Sequence, residues 1–310
     1  LKDYTVIPIG ERVPVTTDTL FDLASNTKMY GLNYAIQHLV QEGELSLDTK
    51  VADIFKDNED DLQFKYRGYG ENYQSEITIK DLLEHTAGFM SDPRYHDNLS
   101  EVNHDYFEDA EPKNNPLFSH DRELTKRMVL HTPLVYERGS RHLYSDADFM
   151  LLGFIVEEIT GMRLDEYMKK TFYEPLGLDR ITFNPLDNGF LIDEIVASEV
   201  HGTTRSGFFS GDTQYENIRE TVVDGEVHDE KAFYSMGGIS GHAGLFGTAE
   251  DIAKLAQHML KDQSKLLSGS KPLFTNEIID MFSEGSPLND TYAVSWRRQG
   301  ANKGYKGYFS

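Results

Sequence analysis

Ser25-Asn26-Thr27-Lys28 places a serine hydroxyl and a lysine amine three residues apart, just after the apolar lead-in Leu20–Ala24. On a helix that spacing puts both groups on one face, about a turn from each other. A serine hydroxyl is a weak nucleophile at neutral pH and needs an adjacent base, so the pair suits attack on a carbonyl with Lys28 accepting the Ser25 proton. To do so Lys28 must first be neutral, which burial or another cation would favour. A helix start also offers backbone N–H groups to a developing oxyanion. The competing reading of Ser25 is a helix-capping serine.

The elements that must position this pair can be read from periodicity. Met29, Leu32, Ile36, Leu39 and Val40 recur at helical spacing, and Gly43 ends the run. Spacing alone is weak evidence, because Ser268-Gly269-Ser270-Lys271 repeats it in a Ser/Gly stretch before Pro272 with no helix opening on it. A second set of groups is Tyr144-Ser145-Asp146, after the turn at Arg138-Gly139 and before a helix with Phe149, Leu152, Val156 and Ile159 on one face and Gly161 beyond its end. Here Asp146 is placed to cap the helix. Tyr144 is either a buried core tyrosine or a cleft group whose hydroxyl relays a proton among Lys28, Ser25 and a leaving group.

Taken in order, these stretches resemble the serine beta-lactamase and penicillin-binding protein superfamily, in particular its class C beta-lactamase-like branch of D,D-peptidases and esterases. Phe21 to Lys28 looks like the nucleophile box, Ile77 to Gly88 like the phrase that follows it, Tyr144-Ser145-Asp146 with Leu151-Leu152-Gly153 like the Tyr-x-Asn box, and Glu174 to Leu178 like the next phrase. With Asp146 in place of the usual Asn, the chain looks closest to low-molecular-weight penicillin-binding proteins akin to protein 4B. An ionised aspartate accepts but does not donate, which puts recognition of a substrate amide at that position in doubt. The resemblance implies an α+β fold, an antiparallel sheet flanked by helices plus a helical lobe, with residues 1–310 forming a single beta-lactamase-like catalytic domain of two interleaved lobes. It also implies an acyl-enzyme on Ser25, with Lys28 and Tyr144 catalytic. The expected activity is that of a D-alanyl-D-alanine carboxypeptidase on cell-wall peptides. An esterase or beta-lactamase of the same fold, or a silent peptidoglycan-binding sensor, stand as alternatives. The partner is then a peptidoglycan peptide or a beta-lactam-like small molecule, met outside the cytoplasm, and no cofactor or metal is implied.

The superfamily's third box, Lys-Thr-Gly or His-Thr-Gly on a strand lining the cleft, has one look-alike, His242-Ala243-Gly244. Asp146, His242 and Gly244 are accordingly the candidate substrate-binding residues. The look-alike leads into a helical pattern capped at Thr248, with Ile252, Leu255, Ala256 and Met259 on one face, so it reads as a glycine turn rather than a strand. The chain starts at Leu1 and stops at Ser310, about where the strand of the true third box is expected, so some terminal strands are expected to be missing.

Composition narrows the remaining classes. A net charge of −22, from 30 basic and 52 acidic residues, argues against a nucleic-acid partner and against adhesion to anionic lipid. Zero cysteines exclude disulfides, thiolate metal sites and a cysteine nucleophile, and no apolar run is long enough to span a membrane. Two segments break the periodicity: Lys56 to Gln74, and Ser91 to Asp121 with Pro93, Pro112 and Pro116. Either Tyr95, His96 and Tyr106 line the cleft, or the second segment is a polar surface insertion. His96, His104 and His120 match no metal-ligand spacing. Val227-His228-Asp229-Glu230 reads as a solvated loop, or as an acid/base pair at the cleft rim.

Overall fold

The computed structural model describes residues 14–56, 76–98, 115–199, 219, 221–261 and 272–296. At its centre is α5 (Asp146–Thr160), and around it lie α1 (Tyr34–Gln41), α2 (Val51–Ile54), α3 (Ile79–Leu83), α4 (Arg122–Leu130) and α6 (Leu164–Met168). Helices α2, α3, α4 and α6 all pack directly on α5. The apolar residues of α5 were expected on one face, yet every residue from Ala147 to Val156 is buried. A helix enclosed on all sides needs apolar residues all round, and Phe149, Met150, Leu151, Leu152, Phe154 and Ile155 supply them. Gly161 ends it in the left-handed conformation, φ 64°.

The cap of α5 is a correction. Ser145, not Asp146, is the N-cap: its hydroxyl accepts the Ala147 N–H at 3.2 Å. Asp146 occupies the first helical position, with its carboxylate free to point elsewhere.

A three-stranded antiparallel sheet joins distant parts of the chain: β1 (Phe21–Asp22) and β2 (Ile181–Phe183) flank β3 (Leu245–Gly247). Its register pairs Asp22 with Phe246 and Phe183 with Leu245. The glycine turn before β3 is a turn, as its sequence suggests, and passes directly through β3 into α7 (Ala249–Gln257), capped by the Thr248 hydroxyl. Helix α8 (Asn276–Ser283) leads to a hairpin, β4 (Gly285–Ser286) with β5 (Asn289–Ala293). Helices and small antiparallel sheets together make an α+β fold.

In the described ends of the 91–121 segment Tyr95 and His96 are buried, while Asp92 reaches the Lys231 ammonium. Tyr95 is fully buried with its hydroxyl 2.7 Å from Thr132 Oγ1, and Asn115 ties the two ends together by donating to the Arg94 and Asp97 carbonyls. His96 is buried too, with its carbonyl 2.8 Å from His120 Nε2. Tyr106 and His104, and the Ser268–Lys271 look-alike, lie outside the described residues.

Candidate active site

Ser25 sits on a one-turn 3-10 helix, Ala24–Asn26, between β1 and a wide helical turn, Lys28–Asn33, that runs into α1. Leu23 N–H donates to Leu245 O at 2.9 Å, and Leu245 N–H returns a bond to Thr27 Oγ1 at 3.1 Å, so β3 grips the turn on both sides of the serine. Ala24 is held at φ 45°, a left-handed conformation that costs on the order of 1–3 kcal/mol in a residue with a Cβ. Its N–H donates to Asp22 Oδ1 at 2.7 Å, while Asp22 Oδ2 accepts His228 N–H at 2.7 Å. The short, sharp turn leaves Ser25 exposed, so it does not serve as a helix cap.

Two groups from separate segments meet the serine. Lys28 Nζ donates to Ser25 Oγ at 3.2 Å, and the Tyr144 hydroxyl donates to the same oxygen at 3.0 Å. Tyr144 thus points at Ser25 and away from the core, with Lys28 Nζ lying 4.8 Å from its ring centroid. Lys28 is 1% exposed, and its ammonium is also held by Asp146 Oδ1 at 2.8 Å and by the His242 carbonyl at 3.2 Å. Burial pushes the Lys28 pKa down, but the Asp146 carboxylate and then Tyr144 outweigh it, leaving the pKa above the ordinary lysine value. The resting group is therefore an ammonium, and the neutral amine that proton acceptance requires is not its resting form.

Asp146 carries a second ammonium that sequence reasoning passed over. Lys231 Nζ lies 3.1 Å from Asp146 Oδ2, 2.6 Å from Asp92 Oδ1 and 4.0 Å from Asp229 Oδ2. Burial would raise the Asp146 pKa, but Lys28 and Lys231, then His242, pull it far below the usual carboxylate range. For Lys231, burial is outweighed by Asp229, Asp146 and Asp92, and its pKa stands well above the ordinary value. Asp229 also pairs with His242 Nε2 at 2.8 Å, and His242 Nδ1 lies 2.7 Å from Ser240 Oγ. Both ring nitrogens of His242 are thus engaged inside the protein, and what the residue presents to Lys28 is its carbonyl. Gly244 holds φ 114°, and a Cβ there would collide with the Gly238 carbonyl, so this turn requires glycine. The 227–230 stretch is neither a solvated loop nor an isolated acid/base pair. The only signal available was the density of charged residues beside the glycine turn, which spacing could not connect to Asp146.

Behind Tyr144 lies a buried acid and imidazole. The His85 ring packs 4.5 Å from the Tyr144 ring, and His85 Nδ1 is 2.7 Å from Asp148 Oδ2. Ser145 N–H also donates to Nδ1 at 3.2 Å, so that nitrogen is unprotonated and the proton of the short contact belongs to Asp148. Burial, with Lys28 and His142, drives the His85 pKa well down, and burial, with Asp81 and Asp146, drives that of Asp148 well up. Both neutral forms follow.

A cavity of about 280 Å³, lined by Phe21, Asp22, Ala24, Val196, Ser198 and His228, adjoins β1 and the foot of the serine turn. Ala24, the neighbour of Ser25, lines it, while Ser25, Lys28 and Tyr144 are not among its described lining residues.

Fold and cluster together define a beta-lactamase-type protein, and the chain belongs to that family: the Beta-lactamase family model matches residues 4–310. It is similar to "Putative D-alanyl-D-alanine carboxypeptidase" of Salmonella agona (strain SL483), 43% identical over 295 residues, covering 94% of this chain and 62% of that protein. The protein of the same name from Escherichia coli (strain K12) is 43% identical over 288 residues, 93% of this chain and 61% of the relative. The chain thus spans about three-fifths of the length of these curated relatives. The crystal structure of a penicillin-binding protein from Bacillus halodurans shares the fold, with a TM-score of 0.58 at 20% identity over 92% of this chain and 72% of that one. Among the described residues, no helix is long and apolar enough to cross a membrane.

Proposed function

We propose that the protein is a serine acyl-transferring hydrolase of the penicillin-binding type, acting outside the cytoplasm as a D-alanyl-D-alanine carboxypeptidase on cell-wall peptides. The observation that carries this is the convergence on Ser25 Oγ of Lys28 Nζ at 3.2 Å and of the Tyr144 hydroxyl at 3.0 Å, Tyr144 lying 119 residues from Ser25 along the chain. The printed name of the curated relatives supports the choice of substrate.

In this reading Ser25 Oγ attacks the carbonyl carbon, its proton passes to the Lys28–Tyr144 pair, and the pair hands a proton to the departing amine as the C–N bond breaks. An ester on Ser25 remains, and water hydrolyses it. Because Lys28 rests as an ammonium, the pair must shed one proton before it can serve as a base. Neutral Lys28 beside neutral Tyr144, and Lys28 ammonium beside tyrosinate, differ only in where the remaining proton sits, and both contact Ser25 Oγ. The Ser25 N–H would face the oxyanion. Asp146 orients Lys28 rather than donating to a substrate amide. Any substrate contact by the His242 to Gly244 turn would be made by its backbone.

The test is covalent labelling by a fluorescent penicillin, mapped by mass spectrometry. Ser25→Ala should abolish the label and Ser268→Ala should keep it. No acylation of Ser25 by penicillins or activated esters, and no phosphonylation by fluorophosphonates, would overturn the assignment.

A further inference from the structure

We propose that Lys231 is a positioning residue of the acylation centre: it turns the Asp146 carboxylate towards Lys28 and, as a second cation on that carboxylate, weakens the hold of Lys28 on its proton. This rests on the reading of Ser25, Lys28 and Tyr144 given above.

A carboxylate is planar, so fixing one oxygen aims the other. Lys231 Nζ fixes Asp146 Oδ2 at 3.1 Å, and Oδ1 then meets Lys28 Nζ at 2.8 Å. Lys231 is itself held, with a side chain only 7% exposed, by Asp92 at 2.6 Å and by Asp229 at 4.0 Å. Those two acids would suffice to anchor a structural lysine. Its third partner is the carboxylate that touches the Lys28 ammonium, and this geometry connects Lys231 to the chemistry.

Among the described residues, the groups facing Lys28 are few. Ser25 Oγ comes from its own turn, Tyr144 and Asp146 from the start of α5, and the His242 carbonyl from the turn before β3. Phe149 presents its ring at 5.7 Å, and the electrostatic influence of Lys28 reaches His85 and Asp148. Around Lys231 stand Asp92, Asp146 and Asp229, and its field also reaches Glu230 and His96. Asp146 is therefore shared by two cations, and deleting Lys231 leaves Lys28 as its sole ammonium among the described residues. The Lys28 proton should then be harder to remove by about one pH unit, the size expected for two like charges on one partly buried carboxylate.

The experiment compares Lys231→Met, Lys231→Arg and the double variant Lys231→Met with Asp92→Asn, which removes one charge of each sign and so guards against misfolding. The first readout is the pH dependence of Ser25 phosphonylation by a fluorophosphonate, in which a P–O bond forms as fluoride leaves. On the rising limb, both methionine variants should react about tenfold more slowly and recover one pH unit higher, while Lys231→Arg keeps the limb in place. The second readout needs no activity: hydrogen exchange of the Lys28 ammonium, followed by ¹⁵N NMR and assigned by its loss in Lys28→Arg, should slow about tenfold in the methionine variants. A folded methionine variant with unchanged limb and unchanged exchange overturns the proposal, as does an arginine variant displaced as far as methionine. If the parent chain is not acylated at Ser25, the catalytic reading fails alone and the exchange measurement still decides the role of Lys231.

Discussion

Replacing Asp146 by Asn keeps the shape of the side chain and removes the one negative charge shared by Lys28 and Lys231. The side chains of these two lysines are 2% and 7% exposed, so the variant leaves two ammonium groups largely out of water with a neutral amide between them. Removing one partner of a buried pair costs about 3–5 kcal/mol. Lys231 keeps Asp92, so the lower end applies, about 3 kcal/mol of unfolding free energy. The pH dependence supplies a second signature. The Asp146 pKa is depressed in the folded protein, so its stabilisation is complete above the unfolded aspartate value near pH 4 and is lost as the pH falls towards the folded value. Urea unfolding of both proteins from pH 7 to pH 3 should therefore show a constant gap down to about pH 5 that narrows below about pH 4. A gap smaller than about 1 kcal/mol at pH 7, or one that widens with acid, would refute the claim that Asp146 is an ionised bridge between two cations.

Other changes are expected at neighbouring positions. Tyr144→Phe removes one of the two groups on Ser25 Oγ, and stopped-flow acylation should show a rate lower by about 10²–10⁴ with the fold intact by circular dichroism. Gly244→Ala places a Cβ against the Gly238 carbonyl at positive φ and should lower thermal stability by more than about 1 kcal/mol in a melt. Asp148→Asn replaces a buried carboxyl whose pKa is raised. In the parent, stability falls with rising pH above about 4 as the unfolded aspartate ionises, so the Asn variant should gain on it by up to about 1.4 kcal/mol per pH unit in denaturation series.

Much of this arrangement is legible in the chain because local signals coincide with tertiary need. Thr248 caps α7, Gly161 closes α5, and Leu32, Ile36 and Leu39 of the apolar stripe are buried in the helix that follows Ser25. Ser25, Lys28 and Tyr144 stand out because each lies at or just before the start of a helical run, beside a sharp turn. Ser145 and Asp146 were misassigned because two adjacent capping residues differ only in backbone angles, which sequence does not display. Tyr95 was misplaced because a proline-rich, aperiodic stretch gives no hint that its ends fold into the core. Lys231 was invisible for a different reason. Its meaning depends on pairing with Asp92 and Asp146, and charges that neutralise one another across more than 80 residues leave no periodic trace.

The grip of β3 on the serine turn has a consequence for the order of events during synthesis. Lys28 reaches a carbonyl 214 residues later, Thr27 is bonded by a residue 218 positions on, and Asp146 lies 118 residues away. Contacts so distant in the chain close late, since their entropic cost falls due before their gain. A growing chain that has not yet emerged past Gly247 holds Ser25 and Lys28 in sequence proximity but lacks the strand that orients them. Acylating power should therefore appear abruptly, in one step near the end of folding, and partly made chains should be inert towards reactive acyl compounds.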